Sequence, residues 1–326
     1  MNILIFSAVF FPAIGGIENQ TLLLINEFVK KGHKVKVITF QKQKVTLPHI
    51  DIYYSPNYHH FLKAFRWCEI IYMPNISLKG MWLLLLNPKK HWVISHNDYH
   101  FFHNIGWIAR SKSFAIKFAT RNIAVSKSIA NHLKTPSLII PNCYNESIFR
   151  IYSDEVRAYD FVFLGRLVSQ KGCDLLIKAC SRLNRPFRLS IIGIGAEQVR
   201  LEALAKDLGI AEQIIFHGLL TEENLARMLN RHKVIIIPSV KEEGFGMVAL
   251  EGMACGCNVI AANAGGLSDA VNGFGKMFEM SDIDELTKLL SASLNEKPAP
   301  ITEDLLAYLK LHHRQSVADN YLQAFI

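Results

Sequence analysis

Short apolar segments alternate with helical ones along the whole chain, and this alternation restricts the fold more than any other feature. Strands that alternate with helices form parallel sheets covered by helices on both faces. A first set precedes residue 145 and a second follows residue 158, and 326 residues suffice for two domains of roughly 150 residues each. We therefore predict an α/β fold with two doubly wound, Rossmann-like domains, whose ligands bind at the carboxyl ends of the strands.

The predicted strands are given by their apolar runs. In the first set they are Ile3–Phe6, Val35–Phe40, Ile70–Met73, Trp92–Ser95, Asn122–Ala124 and Ser137–Ile140. In the second set they are Phe161–Gly165, Arg188–Gly193, Ile214–Phe216, Val234–Pro238 and Asn258–Ala261. Helical periodicity is clearest over Glu18–Lys31, with Gly32 as its C-terminal cap, and a further helix is expected from about Cys173 to Leu183.

The net charge of +8 is unevenly divided between the two halves. Residues 1–150 contain 18 Lys and Arg against 6 Asp and Glu, which gives +12, whereas residues 151–326 contain 18 against 22, which gives −4. Such an asymmetry predicts an anionic partner for the first half. The chain begins directly with a strand rather than a secretory signal, and the apolar run Met81–Leu86 is far shorter than the roughly 20 residues that span a bilayer. We expect a cytoplasmic protein.

Two glutamates enclose a glycine turn in the run Glu243-Gly244-Phe245-Gly246-Met247-Val248-Ala249-Leu250-Glu251. A strand ends before this run, and a helix can begin near Gly246, so that the N–H groups of Phe245 to Val248 would be available to a phosphate or a sugar hydroxyl. Carboxylates accept hydrogen bonds from sugar diols. By itself the run is equally compatible with a glycine-rich turn carrying solvated glutamates.

The order of several short motifs favours the functional interpretation. The glutamate run resembles the signature of glycosyltransferase family 4, which has the GT-B fold, two Rossmann-like domains facing each other across a cleft. The other segments that resemble the family follow in its order: Pro12–Glu18, Val125–Ser128, Ile140–Asn142, Phe163–Leu167 with Gln170–Gly172, Ile192–Gly195, Phe216–Gly218 and Gly265–Asp269. The resemblance implies an acceptor domain over residues 1–145, a donor domain over 146–311, and a segment 312–326 that returns to the first domain.

By this resemblance, Glu251 would hold the ribose of a nucleotide-sugar donor and Glu243 would bind the transferred sugar. Arg166 and Lys171 would neutralise the diphosphate, which agrees with the preference of guanidinium and ammonium groups for phosphate oxygens. The remaining donor contacts would come from a set of small or backbone-presenting residues: Gly15, Gly16, Gly165, Gly244, Phe245, Gly246, Met247 and Val248.

His96 occupies the position of the family's histidine that contacts the transferred sugar, with His100 and His103 as competitors. His96, Glu243, Arg166 and Lys171 are therefore the candidate catalytic residues. The family is regarded as retaining. We see no second carboxylate placed as a covalent nucleophile.

No cofactor or metal is expected. Asp282-Ile283-Asp284 superficially resembles a metal-binding Asp-x-Asp, but it precedes a helical segment, which favours N-capping. The sequence also departs from the family pattern at Cys143, where glycine is common, and at Ser268-Asp269, which replaces Pro-Glu. The shorter aspartate puts one donor contact in doubt.

Aromatic and basic residues alternate in residues 99–121. As a helix, Trp107, Ser111, Phe114 and Phe118 would form one stripe, with Arg110, Lys117 and Arg121 beside it and Phe101 and Phe102 before it. Such a stripe suits an anionic membrane surface. The alternative is that the aromatic side chains pack in the domain core and the cations are merely solvated. No nucleic-acid-binding motif is present, so we do not expect a nucleic-acid partner.

The sequence thus predicts a retaining glycosyltransferase that moves a sugar from a nucleotide-diphosphate sugar to a glycan or lipid-linked acceptor, in the synthesis of bacterial cell-surface polysaccharide or lipopolysaccharide. A sugar-nucleotide epimerase or phosphorylase with the GT-B fold, or a non-catalytic nucleotide-sugar-binding protein, remains an alternative. A dinucleotide-dependent oxidoreductase is disfavoured because the first glycine loop lacks Gly-x-Gly-x-x-Gly.

Overall fold

The chain forms two compact units, each with its own parallel sheet. The computed structural model describes residues 1–13, 15–82, 87, 89–99, 106–296 and 300–326. The first unit comprises Met1–Cys143 together with His312–Ile326, and the second comprises Tyr144–Leu311. The boundary lies two residues before the one expected from the sequence.

The first unit contains seven parallel strands in the order β3-β2-β1-β4-β5-β6-β7. Their bounds are β1 Asn2–Phe6, β2 Lys34–Thr39, β3 Asp51–Tyr54, β4 Ile70–Pro74, β5 His91–His96, β6 Arg121–Ala124 and β7 Leu138–Ile139. The helices are α1 Gly16–Lys30, α2 Tyr58–Trp67, α3 Leu78–Met81, α4 Trp107–Ala115, α5 Lys127–His132 and, from the end of the chain, α13 Arg314–Ala324. The strand order reverses between β1 and β4.

The second unit contains six parallel strands in the order β10-β9-β8-β11-β12-β13. Their bounds are β8 Tyr159–Leu164, β9 Leu189–Ile192, β10 Ile214–Gly218, β11 His232–Ile237, β12 Asn258–Ala262 and β13 Gly275–Phe278. The helices are α6 Cys173–Cys180, α7 Gln198–Asp207, α8 Glu222–Asn230, α9 Met247–Ala254, α10 Leu267–Val271, α11 Ile283–Ser293 and α12 Glu303–Leu311. The order reverses between β8 and β11.

The central strands are buried on both faces, which explains why their sequences are continuously apolar. Ile3 to Phe6 of β1 and Val234 to Ile237 of β11 are all buried. The predicted strands are observed, each within a few residues of its expected bounds. Two strands were missed, β3 and β13, and both lie at a sheet edge with only one fully buried residue between them. An edge strand needs no continuous apolar run, so periodicity does not reveal it.

The end of the chain completes the core of the first unit. Tyr321 and Phe325 are 0% and 2% exposed, and their rings lie 5.6 Å from the ring of Tyr72 on β4. Phe325 also contacts the ring of Phe28 on α1 at 5.6 Å, and the Asp319 carboxylate forms an ion pair with Lys31 at 2.7 Å. The predicted return of residues 312–326 to the first unit is therefore seen in its side-chain packing.

We expect Phe325→Ala to destabilise the first unit by about 3–5 kcal/mol, because truncating a buried aromatic residue removes its burial energy and leaves a cavity. Urea denaturation, followed by the tyrosine and tryptophan signal of this unit, measures the change. Ile326→Ala is the matched control, since Ile326 is 84% exposed and its truncation should change stability by no more than about 0.5 kcal/mol. Equal effects of the two substitutions would contradict this account of the packing.

Candidate functional site

The candidate donor residues gather where the second sheet reverses its strand order. Strands β8 and β11 are direct neighbours there, in parallel register from Phe161 with Val234 to Phe163 with Ile236. Arg166 and Lys171 lie in the loop after β8, and Glu243 lies in the loop after β11. Ligands of doubly wound sheets bind in the crevice outside the carboxyl ends of the strands at such a reversal.

A backbone contact at Gly172 joins these two loops. Gly172 has φ +67°, and a Cβ atom there would overlap the carbonyl oxygen of Pro238 at the end of β11. A backbone hydrogen bond from Val240 N to the carbonyl oxygen of Gln170, at 3.0 Å, also holds the two loops together. Because only glycine lacks Cβ and readily takes this φ, the residue after Lys171 determines how closely the loops meet.

The contact brings Lys171 and Glu243 together as an ion pair. Lys171 Nζ lies 2.6 Å from Glu243 Oε1, and the Ser239 hydroxyl donates to the same oxygen. The side chains are 27% and 17% exposed, so the pair is partly screened from water. Arg166 is exposed and has no ion pair or side-chain hydrogen bond among the described residues. The site thus presents one cation that is already neutralised and one that is free.

The peptide groups of the Glu243 loop are fixed by the loop that follows β12. Glu243 N donates to Ala264 O at 3.1 Å, and Gly266 N donates to Glu243 O at 2.8 Å. Helix α9 then begins at Met247 with Gly246 as its N-cap, where no side chain caps the helix. The N–H groups of Met247 and Val248 therefore stand at a helix start without a side-chain cap, a position where anions bind.

Glu251, on α9, has a carboxyl group in an environment that favours its neutral form. Burial raises its pKa from 4.5 to about 7. No side-chain hydrogen bond or ion pair of this carboxylate is found among the described residues, in contrast to Glu243. Glu251 as a whole is half-buried. A carboxyl group that is largely shielded from water and has no donors is suited to the hydroxyl groups of a ligand, which supply the missing hydrogen bonds.

In the first unit, Gly15 and Gly16 start helix α1 after β1. Gly15 is the N-cap with extended backbone, and no side chain caps this helix. The Glu18 carboxylate folds against Gly15, whereas the space beside Gly16 is open. Ile14 of the same loop lies outside the described residues.

His96 is the last residue of β5 rather than the first residue after it, and it is 1% exposed. Its Nε2 lies 2.9 Å from Asn122 Oδ1, and Asn122 Nδ2 donates to Ile116 O at 2.9 Å. Because that second bond orients the amide, Nε2 of His96 is the donor and Nδ1 the acceptor. Burial lowers the pKa of His96 to about 4, so the ring is neutral at pH 7. His100 and His103 lie outside the described residues.

Several polar residues of these regions were missed in the sequence: Asn75, Asn122 and Ser239. Each immediately follows a predicted strand or lies within one, and no short motif marks them. The signal that could have found Asn75 and Ser239 is their position at the carboxyl end of a buried strand. At Asp282 the sequence was sufficient: its side chain accepts hydrogen bonds from Asp284 N and Glu285 N, which confirms N-capping of α11.

The aromatic stripe of residues 107–118 is exposed, so the interpretation that its side chains pack in the core is wrong for this part. Trp107, Phe114 and Phe118 are 74%, 63% and 65% exposed. Arg110, Lys117 and Arg121 are exposed as well. Phe101 and Phe102 lie outside the described residues. No helix in the described part of the chain has both the length and the apolar character needed to cross a membrane.

The chain is similar to known glycosyltransferases. Residues 145–305 match the family model of the glycosyl transferases group 1. The D-inositol 3-phosphate glycosyltransferase of Acidothermus cellulolyticus is 39% identical over 122 residues, which are 34% of this chain and 27% of that protein. An uncharacterized glycosyltransferase of Methanocaldococcus jannaschii is 32% identical over 195 residues, 56% of this chain and 53% of that one. The chain thus spans about half of the length of these relatives or less.

The fold is shared with a solved structure along nearly its full length. The crystal structure of Anabaena Alr3699/HepE in complex with UDP has a TM-score of 0.84 and 18% sequence identity, and the match covers 99% of each chain. This confirms the predicted α/β fold with two Rossmann-like domains.

The raised pKa of Glu251 predicts a pH-dependent stability. The folded chain retains a proton on this carboxyl that the unfolded chain releases, so the free energy of unfolding falls as pH rises from about 4.5 to about 7. Glu251→Gln removes this effect, and we expect the variant to be more stable than the wild type above pH 7, by a margin that shrinks towards pH 4.5. Urea denaturation at several pH values measures it, with the exposed Glu212→Gln as control. A difference in the free energy of unfolding between Glu251→Gln and the wild type that does not change with pH would refute the raised pKa of Glu251.

Proposed function

We propose that the protein is a retaining glycosyltransferase that transfers a sugar from a nucleotide-diphosphate sugar to a hydroxyl group of a glycan or lipid-linked acceptor, in the synthesis of bacterial cell-surface polysaccharide or lipopolysaccharide. The observation that carries the proposal is the arrangement at the β8–β11 reversal. Two cations, an uncapped helix start and a buried carboxyl without partners meet where such sheets bind ligands.

The diphosphate is the leaving group in this reaction, so negative charge accumulates on it as the glycosidic bond breaks. Arg166 supplies a free guanidinium, and the N–H groups at the start of α9 supply fixed dipoles for that charge. Interactions that strengthen as charge develops stabilise the transition state more than the ground state. The cations and dipoles of the chain take the place of a metal ion, and no cofactor takes part.

Glu251 accepts hydrogen bonds from the donor ribose, which gives its buried carboxyl the donors it lacks in the free protein. Gly165 leaves room for the phosphates beside Lys171. In the first unit, Gly15 and Gly16 contribute backbone N–H groups, and His96 binds the transferred sugar. As a neutral imidazole, His96 contributes a hydrogen bond rather than a charge.

Glu243 binds the transferred sugar only after its ion pair with Lys171 has broken. In the free protein its Oε1 is occupied by both Lys171 Nζ and the Ser239 hydroxyl. The diphosphate offers Lys171 a more highly charged partner, so donor binding exchanges the Lys171–Glu243 pair for a Lys171–phosphate pair. The released Glu243 carboxylate then accepts hydrogen bonds from sugar hydroxyls. Glu243 holds the sugar and is not a nucleophile. The acceptor oxygen bonds to the anomeric carbon on the side from which the diphosphate departs, so the stereochemistry is retained, and the proton of the acceptor hydroxyl passes to the leaving diphosphate.

This exchange predicts opposite effects of one substitution on binding and on turnover. Glu243→Gln leaves Lys171 without its counter-ion, so a nucleoside diphosphate should bind several-fold more tightly, a gain of about 1 kcal/mol. Sugar transfer to an acceptor should fall by about 100-fold, because the transferred sugar loses its carboxylate. Calorimetric titration with UDP and GDP, and transfer of labelled sugar to lipid-linked acceptors, measure the two effects.

Glu251→Ala is the matched control, since it should weaken nucleotide binding and transfer together. An epimerase or phosphorylase would turn over the donor without transfer to the added acceptor, and a pure binding protein would show neither. Failure to bind any nucleoside diphosphate would overturn the proposal as a whole. Before these assays, a thermal-shift screen of sugar nucleotides identifies the base, because a ligand of the folded state raises its melting temperature.

The exposed surface of Trp107, Ile108, Phe114 and Phe118 fits the cytoplasmic face of an anionic membrane as a second partner. Their exposures range from 49% to 74%, and the rings of Phe114 and Phe118 meet at 5.0 Å. No Asp or Glu occurs between Asp98 and Glu146, whereas this stretch contains six Lys and Arg. Apolar rings enter the acyl boundary and the flanking cations contact lipid phosphates. Peripheral docking of this kind brings the enzyme to a lipid-linked acceptor.

Charge reversal tests the membrane surface. We expect Lys117→Glu with Arg121→Glu to abolish sedimentation with vesicles containing phosphatidylglycerol, because each cation contributes about 1 kcal/mol. Phe114→Ser with Phe118→Ser should also abolish sedimentation with these vesicles at low salt. Added salt should weaken vesicle binding of the wild type only by its electrostatic contribution. Lys206→Glu, on exposed α7, is the control for net charge. Binding to pure phosphatidylcholine vesicles that equals binding to anionic ones would contradict the proposal.

A further inference from the structure

Asn75 occupies a special position at the end of β4, in the strand next to the one that ends in His96. Its backbone has φ +71°, a left-handed conformation that asparagine tolerates better than most residues. Its N–H donates to the carbonyl oxygen of Ser95 on β5 at 2.8 Å, so the turn after β4 remains attached to the neighbouring strand.

The side chain of Asn75 makes two hydrogen bonds to the segment directly after His96. Its Oδ1 accepts from the backbone N–H of Asn97 at 2.8 Å, and its Nδ2 donates to Asp98 Oδ2 at 2.8 Å. A single amide therefore uses its acceptor and its donor on consecutive residues. Neither a carboxylate nor a hydroxyl offers this combination in a fixed plane.

The segment is held from its opposite side as well. The ring of His96 bonds to Asn122 on β6 at 2.9 Å, and the carbonyl oxygen of His96 accepts from Val125 N at 3.3 Å. Asn122 thus fixes the imidazole, while Asn75 fixes the chain that leaves it. Asn97 is held on this side as well, since its Nδ2 donates to Ser95 Oγ at 3.0 Å, and Asn75 adds a direct bond from β4 to the backbone of the segment.

We propose that Asn75 is a positioning residue for His96, holding the residue 96–98 turn in the geometry in which the imidazole meets the transferred sugar. This inference rests on the proposed function for the role of His96. The two hydrogen bonds from the Asn75 side chain to residues 97 and 98, which we call the clamp, do not depend on that role. It acts through His96 and does not touch the substrate.

Removing the amide while keeping the backbone tests the clamp. Asn75→Gly accepts φ +71° without strain and deletes both side-chain bonds. We expect kcat to fall by about 10-fold to 100-fold, because misplacement by about 1 Å has effects of that size, with KM for the donor nearly unchanged. In histidine NMR titrations, His96 should take up its proton at a higher pH than in the wild type, as its burial is relaxed.

Ser55→Gly is the matched control. Ser55 follows β3 as Asn75 follows β4, has φ +45°, and donates its N–H to Thr39 of the neighbouring strand at 2.9 Å. We expect this variant to keep the kcat of the wild type and its His96 titration. The melting temperatures of both variants show how much of any loss is caused by unfolding.

Exchanging the Asn75 amide and the Asp98 carboxylate tests whether kcat can be rescued. Asn75→Asp places a carboxylate against Asp98 and should lower kcat, whereas adding Asp98→Asn restores a donor–acceptor pair and should recover most of the loss. No recovery, together with an unchanged His96 titration in Asn75→Gly, would overturn the clamp. If His96→Ala leaves transfer unchanged while Asn75→Gly shifts the His96 titration and the double variant Asn75→Asp, Asp98→Asn keeps the wild-type titration, the clamp stands and the catalytic role of His96 in the proposed function fails.

Discussion

The backbone contact between Gly172 and Pro238 is the constraint on which the donor site depends. Parallel strands β8 and β11 place their carboxyl ends side by side, but the loops that follow them run over the sheet in opposite directions. Only because Gly172 has no Cβ can the first loop rest on the carbonyl oxygen of the second. Lys171 precedes this contact, and its ammonium group therefore reaches Glu243. An alanine at position 172 would separate the loops and the ion pair together.

The two glutamates of the glycine run differ in chemistry because their surroundings differ. Glu243 accepts hydrogen bonds from Lys171 and Ser239, whereas burial without such donors raises the pKa of Glu251 to about 7. A ligand of Glu243 must displace the groups that already bond to it, whereas a ligand of Glu251 supplies hydrogen bonds that this carboxyl group lacks. In the proposed function, donor binding therefore breaks an internal interaction of Glu243 and adds a hydrogen bond to Glu251, so that binding of the ribose is linked to release of the Glu243 carboxylate.

The sequence predicted the central strands because burial on both faces produces continuous apolar runs, and it marked the loops after β8 and β11 by glycines, one of which lies at a close backbone contact. It did not predict β3 or β13, since edge strands mix exposed and buried residues. The burial of His96 and its bond to Asn122 could not be foreseen, because the partners lie 26 residues apart. Exposure of the aromatic stripe was equally undetermined, since helical periodicity identifies a face but does not show what covers it.

The two units join the segments that follow neighbouring strands by different chemistry. In the second unit, the loops after β8 and β11 meet through backbone atoms, so the geometry depends on the absence of side chains. In the first unit, the turns after β4 and β5 are joined by the Asn75 amide, so the geometry depends on one donor and one acceptor. Backbone contact resists substitution by any larger residue, whereas an amide clamp is lost by isosteric replacement with a carboxylate. The donor loops are consequently sensitive to volume, and the His96 turn is sensitive to charge.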